Sequence, residues 1–184
     1  MSGSDPQTLE QYRNDANLNA RINLHRRFST NPISWNRWAF EQMRLPDGAR
    51  VLELGAGTGL LWGENRDRLP AGLELVVSDS SEGMLRAARE QLDGFPGLEF
   101  RQIDAAQIPD GNGTLDVVIA NHMLYHVPDR ATVFSEVVRV LHPNGHFYAA
   151  TNGDTHMKEL DDLIGKPEKR EMISTTQFSL ENGA

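Results

Sequence analysis

The 184-residue chain contains no cysteine. This absence excludes a disulfide framework, a thiolate nucleophile and a metal site with sulfur ligands. The chain also lacks any apolar run near the ~18 residues that a membrane-spanning helix needs. Its polar start, MSGSDPQTLEQYRND, has neither the basic nor the apolar segment of a secretory signal. We therefore expect a cytoplasmic protein without a membrane partner.

Positive charge is scarce as well. The chain has 18 Lys and Arg against 26 Asp and Glu, for a formal net charge of −8. An acidic chain is a poor match for nucleic-acid phosphates, so we expect no nucleic-acid partner. The local exception is an N-terminal group of arginines: Arg13, Arg21, Arg26 and Arg27. A solvated helix face is the usual origin of such a group, and contact with an acidic ligand is the alternative.

Short apolar segments alternate with longer amphipathic ones from about residue 49. They predict strands at 49–54, 73–79, 98–103, 115–121 and 145–151, and helices at 81–92, 128–141 and, more weakly, 58–69. Upstream, STNPISWNRWAFEQM predicts a helix with Asn31 as N-cap and Pro32 at its first position. Repeated strand–helix–strand units pair in parallel through right-handed crossovers. The sequence therefore predicts an α/β fold, a doubly wound and mostly parallel sheet with helices on both faces.

A glycine-rich segment, VLELGAGTGLLW (51–62), joins the first predicted strand to a helix. Gly55, Gly57 and Gly59 permit a tight turn and the close approach of a ligand to the backbone. A dinucleotide site needs a further glycine at position 60, where this chain has Leu60. The second strand ends at Asp79, whose carboxylate could accept hydrogen bonds from two ribose hydroxyls.

Four ordered segments carry a resemblance to a known family. The Gly-x-Gly-x-Gly spacing after Glu53 resembles motif I of the class I S-adenosylmethionine-dependent methyltransferases, and DSSEGML resembles the Asp-x-Ser-x-x-Met-Leu that follows in that family. IDAAQIP, ANHMLYHVPD and VLHPNGHFYAAT resemble its later segments, so the likeness covers about residues 49–151. More loosely, YRNDANLNARINLHRRFSTN resembles the N-terminal lid helices of the ubiquinone-biosynthesis-like group.

The resemblance implies a Rossmann-like core of about five strands that binds S-adenosylmethionine, with S-adenosylhomocysteine as product. Asp79 is expected to bind the ribose, Asp104 the adenine amino group, and Glu53 the methionine amino end. Met84 would lie against the adenine or, alternatively, belong to the core, and Asp104 would alternatively cap a turn. The expected cofactor residues are Glu53, Gly55, Ala56, Gly57, Gly59, Asp79, Ser80, Met84, Asp104, Ala105 and Asn121.

The acceptor is expected to be a small molecule. The segment after the fourth strand reads NHML, not the Asn/Asp-Pro-Pro-Tyr of enzymes that methylate exocyclic amines. A general base is needed only if the nucleophile keeps its proton, and His122 is the candidate, whereas His126 is more readily structural. Trp35 and Trp38 at helical spacing favour core positions. The expected acceptor pocket is Tyr12, Arg21, His25, Trp35 and Tyr125, and no metal site is expected.

Three segments follow from this interpretation: a lid and acceptor segment (1–47), the cofactor-binding core (48–152), and a C-terminal helix at about 155–164 with a tail (153–184). The family sheet has seven strands, but no two further strands are recognisable after residue 151. The edge of the fifth strand would then be covered by the tail or by a second copy in a homodimer, or the chain is part of a longer protein. A non-catalytic S-adenosylmethionine-binding module stays open as an alternative. A nicotinamide-dependent oxidoreductase is disfavoured by Leu60 and by SDSSEGML.

Overall fold

The computed structural model describes residue 23 and residues 27–153. Its strands are β1 (Arg50–Glu53), β2 (Glu74–Asp79), β3 (Leu98–Gln102), β4 (Leu115–Asn121) and β5 (Leu141–Ala150). Its helices are α1 (Trp35–Glu41), α2 (Leu60–Gly63), α3 (Glu82–Gln91) and α4 (Arg130–Val140), with 3₁₀ turns at Arg66–Arg68 and Leu124–His126. Over this part of the chain the strands form one parallel sheet in the order β3-β2-β1-β4-β5. The predicted doubly wound, Rossmann-like fold is confirmed.

Apolar side chains cover both faces of the sheet. On β1, Val51 packs in a cluster with residues of α1, α2 and α3, whereas the adjacent Leu52 packs in a second cluster with residues of α4. Val117 and Val118 on β4 divide between the two clusters in the same way. Successive side chains of a strand point to opposite faces, so a strand buried on both sides needs a nearly continuous apolar run. The runs VLEL and LDVVIA meet this need.

Two elements differ in extent from the prediction. β5 begins at Leu141 rather than at residue 145, because Leu141 pairs with Leu115 before the register shifts and His146 pairs with Val117. The helix predicted over 58–69 is only α2 followed by a 3₁₀ turn. Asn65, which is buried between them, donates to the carbonyl oxygen of Leu61 at 2.7 Å. A side-chain amide that binds the backbone in this way competes with continuation of the helix.

The predicted first residue and the predicted buried face of α1 were both wrong. Its N-cap is Ser34, not Asn31, and the Ser34 hydroxyl accepts from the backbone N–H of Arg37 at 3.2 Å. Trp35 and Trp38, expected in the core, are 38% and 52% exposed. The buried residues are Ala39 and Phe40. Indole rings have large apolar surfaces, and the 3.6-residue period alone did not identify which face of so short a helix is buried.

Several predictions fall on residues outside the described part of the chain. They include the C-terminal helix at 155–164 and most of the lid and tail segments, so the three-segment division stays a prediction. Within residues 27–153, no strand pairs with the outer edge of β3 or of β5. Within the same residues, no helix is long and apolar enough to span a membrane, and no group of three or more acidic or histidine side chains is arranged to hold a metal ion.

Two glycines of the glycine-rich loop are required by packing inside the chain. Gly55 (φ +65°) and Gly59 (φ +75°) both adopt left-handed backbone. A Cβ atom on Gly59 would lie 2.7 Å from Leu92 Cδ1, and one on Gly55 would lie 2.7 Å from Met123 Cβ. Gly59 therefore lets α2 begin directly against the end of α3, and Gly55 lets the segment after β4 close over the end of β1.

We predict that Gly59→Ala lowers the free energy of unfolding by more than Gly48→Ala. Both glycines have positive φ, but Gly48 has no atom within 4 Å of the added Cβ. Gly48→Ala should therefore cost only the ~1–2 kcal/mol of left-handed backbone. Gly59→Ala should cost about 1–3 kcal/mol more, because Leu92 must move. Urea unfolding of the two variants measures the difference, and equal losses would show that Leu92 yields without cost.

Candidate functional site

Most of the predicted cofactor residues lie at or directly after the carboxyl ends of β1, β2 and β4. The strand order reverses between β1 and β4, since the chain runs outward from β1 to β3 and then returns to β4. Loops on either side of such a switch point diverge and leave a crevice for a ligand. Glu53, Asp79 and Asn121 are the last residues of their strands and border this crevice.

Asp79 fixes the glycine-rich loop against the end of β2. Its Oδ2 accepts from the backbone N–H of Gly57 at 2.9 Å, and its Oδ1 accepts from that of Ser81 at 2.8 Å. The backbone N–H of Ala56 also donates to the carbonyl oxygen of Ser78 at 2.8 Å. Burial raises the pKa of Asp79, and the backbone hydrogen bonds oppose that rise only in part. The backbone of Ser80 also contributes a hydrogen bond, which leaves the carboxylate with about one lone-pair site for a further donor.

Glu53 is held by a tryptophan that the sequence analysis did not select. Glu53 is only 3% exposed, and its Oε2 accepts from Trp62 Nε1 at 2.6 Å. Burial raises the pKa of Glu53 to about 7, the negative charge of Asp79 acts in the same direction, and the hydrogen bond from Trp62 acts against both. Glu53 therefore changes its charge near neutral pH. The signal in the sequence was an apolar indole one helical turn after the glycines, in GLLWG.

Asp104 forms a turn after β3. Its Oδ1 accepts from the backbone N–H of Ala106 at 2.9 Å, and its carbonyl oxygen accepts from that of Gln107 at 2.8 Å. This is the turn-capping alternative, and it leaves Asp104 exposed on the loop after β3, whereas Ala105 is buried. The geometry permits both roles at once, because the carboxylate has more lone pairs than the turn uses.

Arg139 of α4 anchors the continuation of that loop, and sequence reasoning missed it as well. Its guanidinium donates to the carbonyl oxygens of Ile108 at 2.7 Å and Asp110 at 2.8 Å. It also pairs with Glu136, whose Oε2 accepts from the backbone N–H of Ile108 at 2.9 Å. The loop that carries Asp104 is thus tied to a helix of the core.

Met84 and Ser80 differ in how much surface they offer to a ligand. Met84 lies on the inner face of α3 and is 1% exposed, which fits the alternative of a core methionine. Ser80 is exposed beside Asp79, and its carbonyl oxygen accepts from Gln102 Nε2 at 2.8 Å. Only Ser80 is accessible to a ligand in this conformation.

The end of β4 carries a buried donor and a strained histidine. Asn121 Nδ2 is buried and has no hydrogen-bond partner in the described part of the chain. His122 adopts left-handed backbone, with φ of 53°, and its N–H donates to the carbonyl oxygen of Ala150 at 2.8 Å. Left-handed backbone in a residue other than glycine costs energy and is concentrated at functional sites. The next segment pairs the rings of Tyr125 and His126, whose centroids are 4.4 Å apart.

The structure brings together two residues that the sequence analysis treated separately. The rings of Trp35 on α1 and His122 after β4 have centroids 4.6 Å apart and planes tilted by 53°. The start of α1 therefore lies beside the crevice, next to the end of β4. The other predicted pocket residues, Tyr12, Arg21 and His25, lie outside the described residues.

We predict that Glu53→Gln flattens the dependence of stability on pH. The unfolded chain releases the Glu53 proton near pH 4.5, whereas the folded chain keeps it to about pH 7. The folded state binds the extra proton in this window, so the wild-type free energy of unfolding falls as pH rises through it, by up to about 3 kcal/mol. Urea unfolding at pH 5 and pH 8 should show this loss reduced in Glu53→Gln. It should persist in Glu90→Gln, which changes an exposed carboxyl on α3, and an equal loss in both variants would contradict the assignment to Glu53.

The sequence of the chain is similar to those of known methyltransferases. The chain is similar to the ubiquinone/menaquinone biosynthesis C-methyltransferase UbiE of Geobacter sulfurreducens, with 34% identity over 116 residues, or 60% of this chain and 44% of the relative. It is also 35% identical over 123 residues to the ubiquinone biosynthesis O-methyltransferase of Pseudomonas aeruginosa, covering 66% of this chain and 51% of the relative. The chain thus spans about half the length of these curated relatives.

The fold has counterparts among solved structures. The methyltransferase in a complex with the Haloferax volcanii Trm112 methyltransferase activator superposes with a TM-score of 0.66 at 24% identity, over 83% of this chain and 66% of that one. The family model described as "Methyltransferase domain" matches residues 52–149, which is more than half of the chain. The match confirms the resemblance drawn from the motifs: the chain belongs to the methyltransferase-domain family, in the class I S-adenosylmethionine-dependent type.

Proposed function

We propose that this chain binds S-adenosylmethionine in the crevice at the carboxyl edge of the sheet and transfers its methyl group to a small-molecule acceptor. One observation carries the proposal: Asp79 holds the glycine-rich loop by the N–H of Gly57, beside the buried carboxyl of Glu53. Two carboxyl groups in low-dielectric surroundings favour a positively charged ligand. S-adenosylmethionine carries an ammonium and a sulfonium group.

The donors and acceptors around the crevice fit the parts of this ligand. Asp79 accepts from a ribose hydroxyl with the lone pair that the backbone hydrogen bonds leave unused, and Glu53 pairs with the ammonium group. Asp104, exposed on the loop after β3, accepts from the adenine amino group. Asn121 Nδ2, a buried donor without a partner in residues 27–153, is available to a ligand oxygen. When bound, the cofactor supplies an activated methyl group with a good leaving group.

We place the acceptor beside Trp35, His122 and Tyr125. The Trp35 indole and the His122 ring pack against each other next to the end of β4. The chain's contribution to the reaction is to hold the acceptor in line and to exclude water. His122 takes up a proton only if the acceptor atom still carries one at neutral pH.

A second candidate function is a module that binds S-adenosylmethionine without transferring its methyl group. The contacts of Glu53 and Asp79 at the ends of β1 and β2 support it equally, because they concern the cofactor and require neither an acceptor nor a general base. Transfer of labelled methyl from the cofactor to any acceptor in a cell extract would exclude this alternative.

We propose a cytoplasmic location for the protein with either function, because the chain has no cysteine for disulfides in an oxidising compartment. Cell fractionation tests this location.

Titration calorimetry with S-adenosylmethionine, S-adenosylhomocysteine and NADH tests the proposed function. We expect the first two to bind with micromolar dissociation constants, about −8 kcal/mol, and NADH not to bind. NADH binding by the folded chain would select the oxidoreductase alternative. Failure of all three to bind would contradict the proposed cofactor.

The same titration with Asp79→Ala tests the role of that carboxylate. The variant should bind S-adenosylhomocysteine more weakly by about 1–3 kcal/mol, because it loses a charged acceptor for ligand hydroxyls and the anchor of the glycine-rich loop. Asp93→Ala removes an exposed carboxylate beyond the end of α3 and should bind like the wild type. Unchanged affinity in a folded Asp79→Ala variant would remove the ribose assignment.

We also propose that a second copy of the chain covers β5. The outer edge of β5 has no strand partner within the described residues, and an uncovered edge favours pairing with another strand. A homodimer predicts a doubling of mass with concentration in light scattering. A chain that remains monomeric at high concentration would overturn the proposal.

A further inference from the structure

The hydrogen bond between Trp62 and Glu53 joins α2 to the end of β1 beneath the glycine-rich loop. Trp62 is completely buried, and its ring meets Phe40 of α1 edge-on, with centroids 6.1 Å apart. A buried indole N–H needs an acceptor, and a backbone carbonyl would serve. In this chain the acceptor is a carboxyl group, so the indole meets a group whose charge can change.

The hydrogen bond from Trp62 favours the ionised form of Glu53, whereas the other surroundings of this carboxyl group favour the protonated form. Asp79 on the neighbouring strand β2 is the charged group that acts on Glu53 within the described residues, and it disfavours the anion. Val77 on β2 and Ile119 on β4, which pair with Glu53 in the sheet, bring no charge. The Ser78 hydroxyl donates to the backbone carbonyl of Glu53 and not to its side chain. The indole N–H of Trp62 is therefore the side-chain donor that favours the anion.

We propose that Trp62 is a positioning residue for the cofactor: its indole N–H favours the Glu53 anion and orients the carboxyl group beneath the glycine-rich loop, where it pairs with the ammonium group of the ligand. This inference rests on the proposed function, because it needs a ligand with that group. Trp62 acts through Glu53 and does not itself contact the cofactor.

If Trp62 acts through the charge of Glu53, its loss changes how ligand affinity depends on pH. Pairing with an ammonium group needs the Glu53 anion, so ligand affinity falls about tenfold per pH unit below the point at which Glu53 takes up its proton. That point lies near pH 7 in the wild type. Because the hydrogen bond from Trp62 stabilises the anion, its loss moves the midpoint to higher pH. A purely structural role would weaken binding equally at every pH.

The test is the affinity for S-adenosylhomocysteine between pH 6 and pH 8.5 in Trp62→Phe. Phenylalanine keeps an aromatic ring in the core and deletes the N–H donor. We expect the midpoint of the profile to rise by about one pH unit, with affinity about tenfold weaker at pH 6 and within about threefold of the wild type at pH 8.5. Trp38→Phe, which changes an exposed indole of α1, should leave the profile unchanged.

A profile of Trp62→Phe with the wild-type midpoint, whether at full or at uniformly reduced affinity, would overturn the inference. If the wild type binds at no pH, the proposed function itself fails, and the inference falls with it. If the wild type binds and Trp62→Phe has the same midpoint as the wild type, the role of Trp62 is wrong but the proposed function stands.

A second measurement, by NMR, needs no tryptophan variant and tests the role of Trp62 if Trp62→Phe does not fold. The indole N–H resonance of Trp62 in the wild-type protein should shift with pH with a midpoint near 7, as its acceptor Glu53 ionises. The Trp38 resonance should not follow it. In Glu53→Gln the shift should vanish, and the affinity profile should become flat between pH 6 and pH 8.5. A Trp62 resonance that does not move in the wild type would overturn the inference.

Discussion

The site depends on the carboxylate of Asp79, which joins two elements that the chain places far apart in sequence. One oxygen accepts from Gly57 in the loop after β1, and the other accepts from Ser81 at the start of α3. Hydrogen bonds to a charged acceptor are among the strong ones in proteins. They hold the loop and the N-terminus of α3 at fixed positions around the crevice, so the backbone that faces a ligand is set before any ligand binds.

The same carboxylate makes the site unfavourable for the folded chain on its own. Glu53 is buried and Asp79 is half-buried, and burial raises the pKa of each. The negative charge of Asp79 disfavours ionisation of Glu53, and the described part of the chain holds no cation against Glu53. Residues that destabilise a fold while serving a ligand are a known compromise between stability and activity. A ligand with positive charge relieves the repulsion and turns this local cost into binding energy.

Two of the glycines beside the crevice are needed because side chains of the protein pack against them, and not only because a ligand needs room there. Leu92 occupies the volume in front of Gly59, and Met123 occupies that in front of Gly55. The loop after β3 is tied to α4 by Arg139, whose planar guanidinium donates to several acceptors at once. The crevice is thus lined by loops that are each attached to a rigid element, which suits a site that must orient its ligand.

The sequence by itself determined the parallel sheet, the positions of its strands and the family, because continuous apolar runs and the spacing of glycines are local patterns. It also identified Asp79, since the end of β2 follows from the same patterns. Only the tertiary structure decided that Trp62 meets Glu53, that Arg139 holds the loop after β3, and that Trp35 lies against His122. Each of these contacts joins residues from different elements, and which side chains meet across elements depends on helix rotation and on the depth of packing. The exposed faces of Trp35 and Trp38 show the limit: in a helix as short as α1, periodicity does not fix which face is buried.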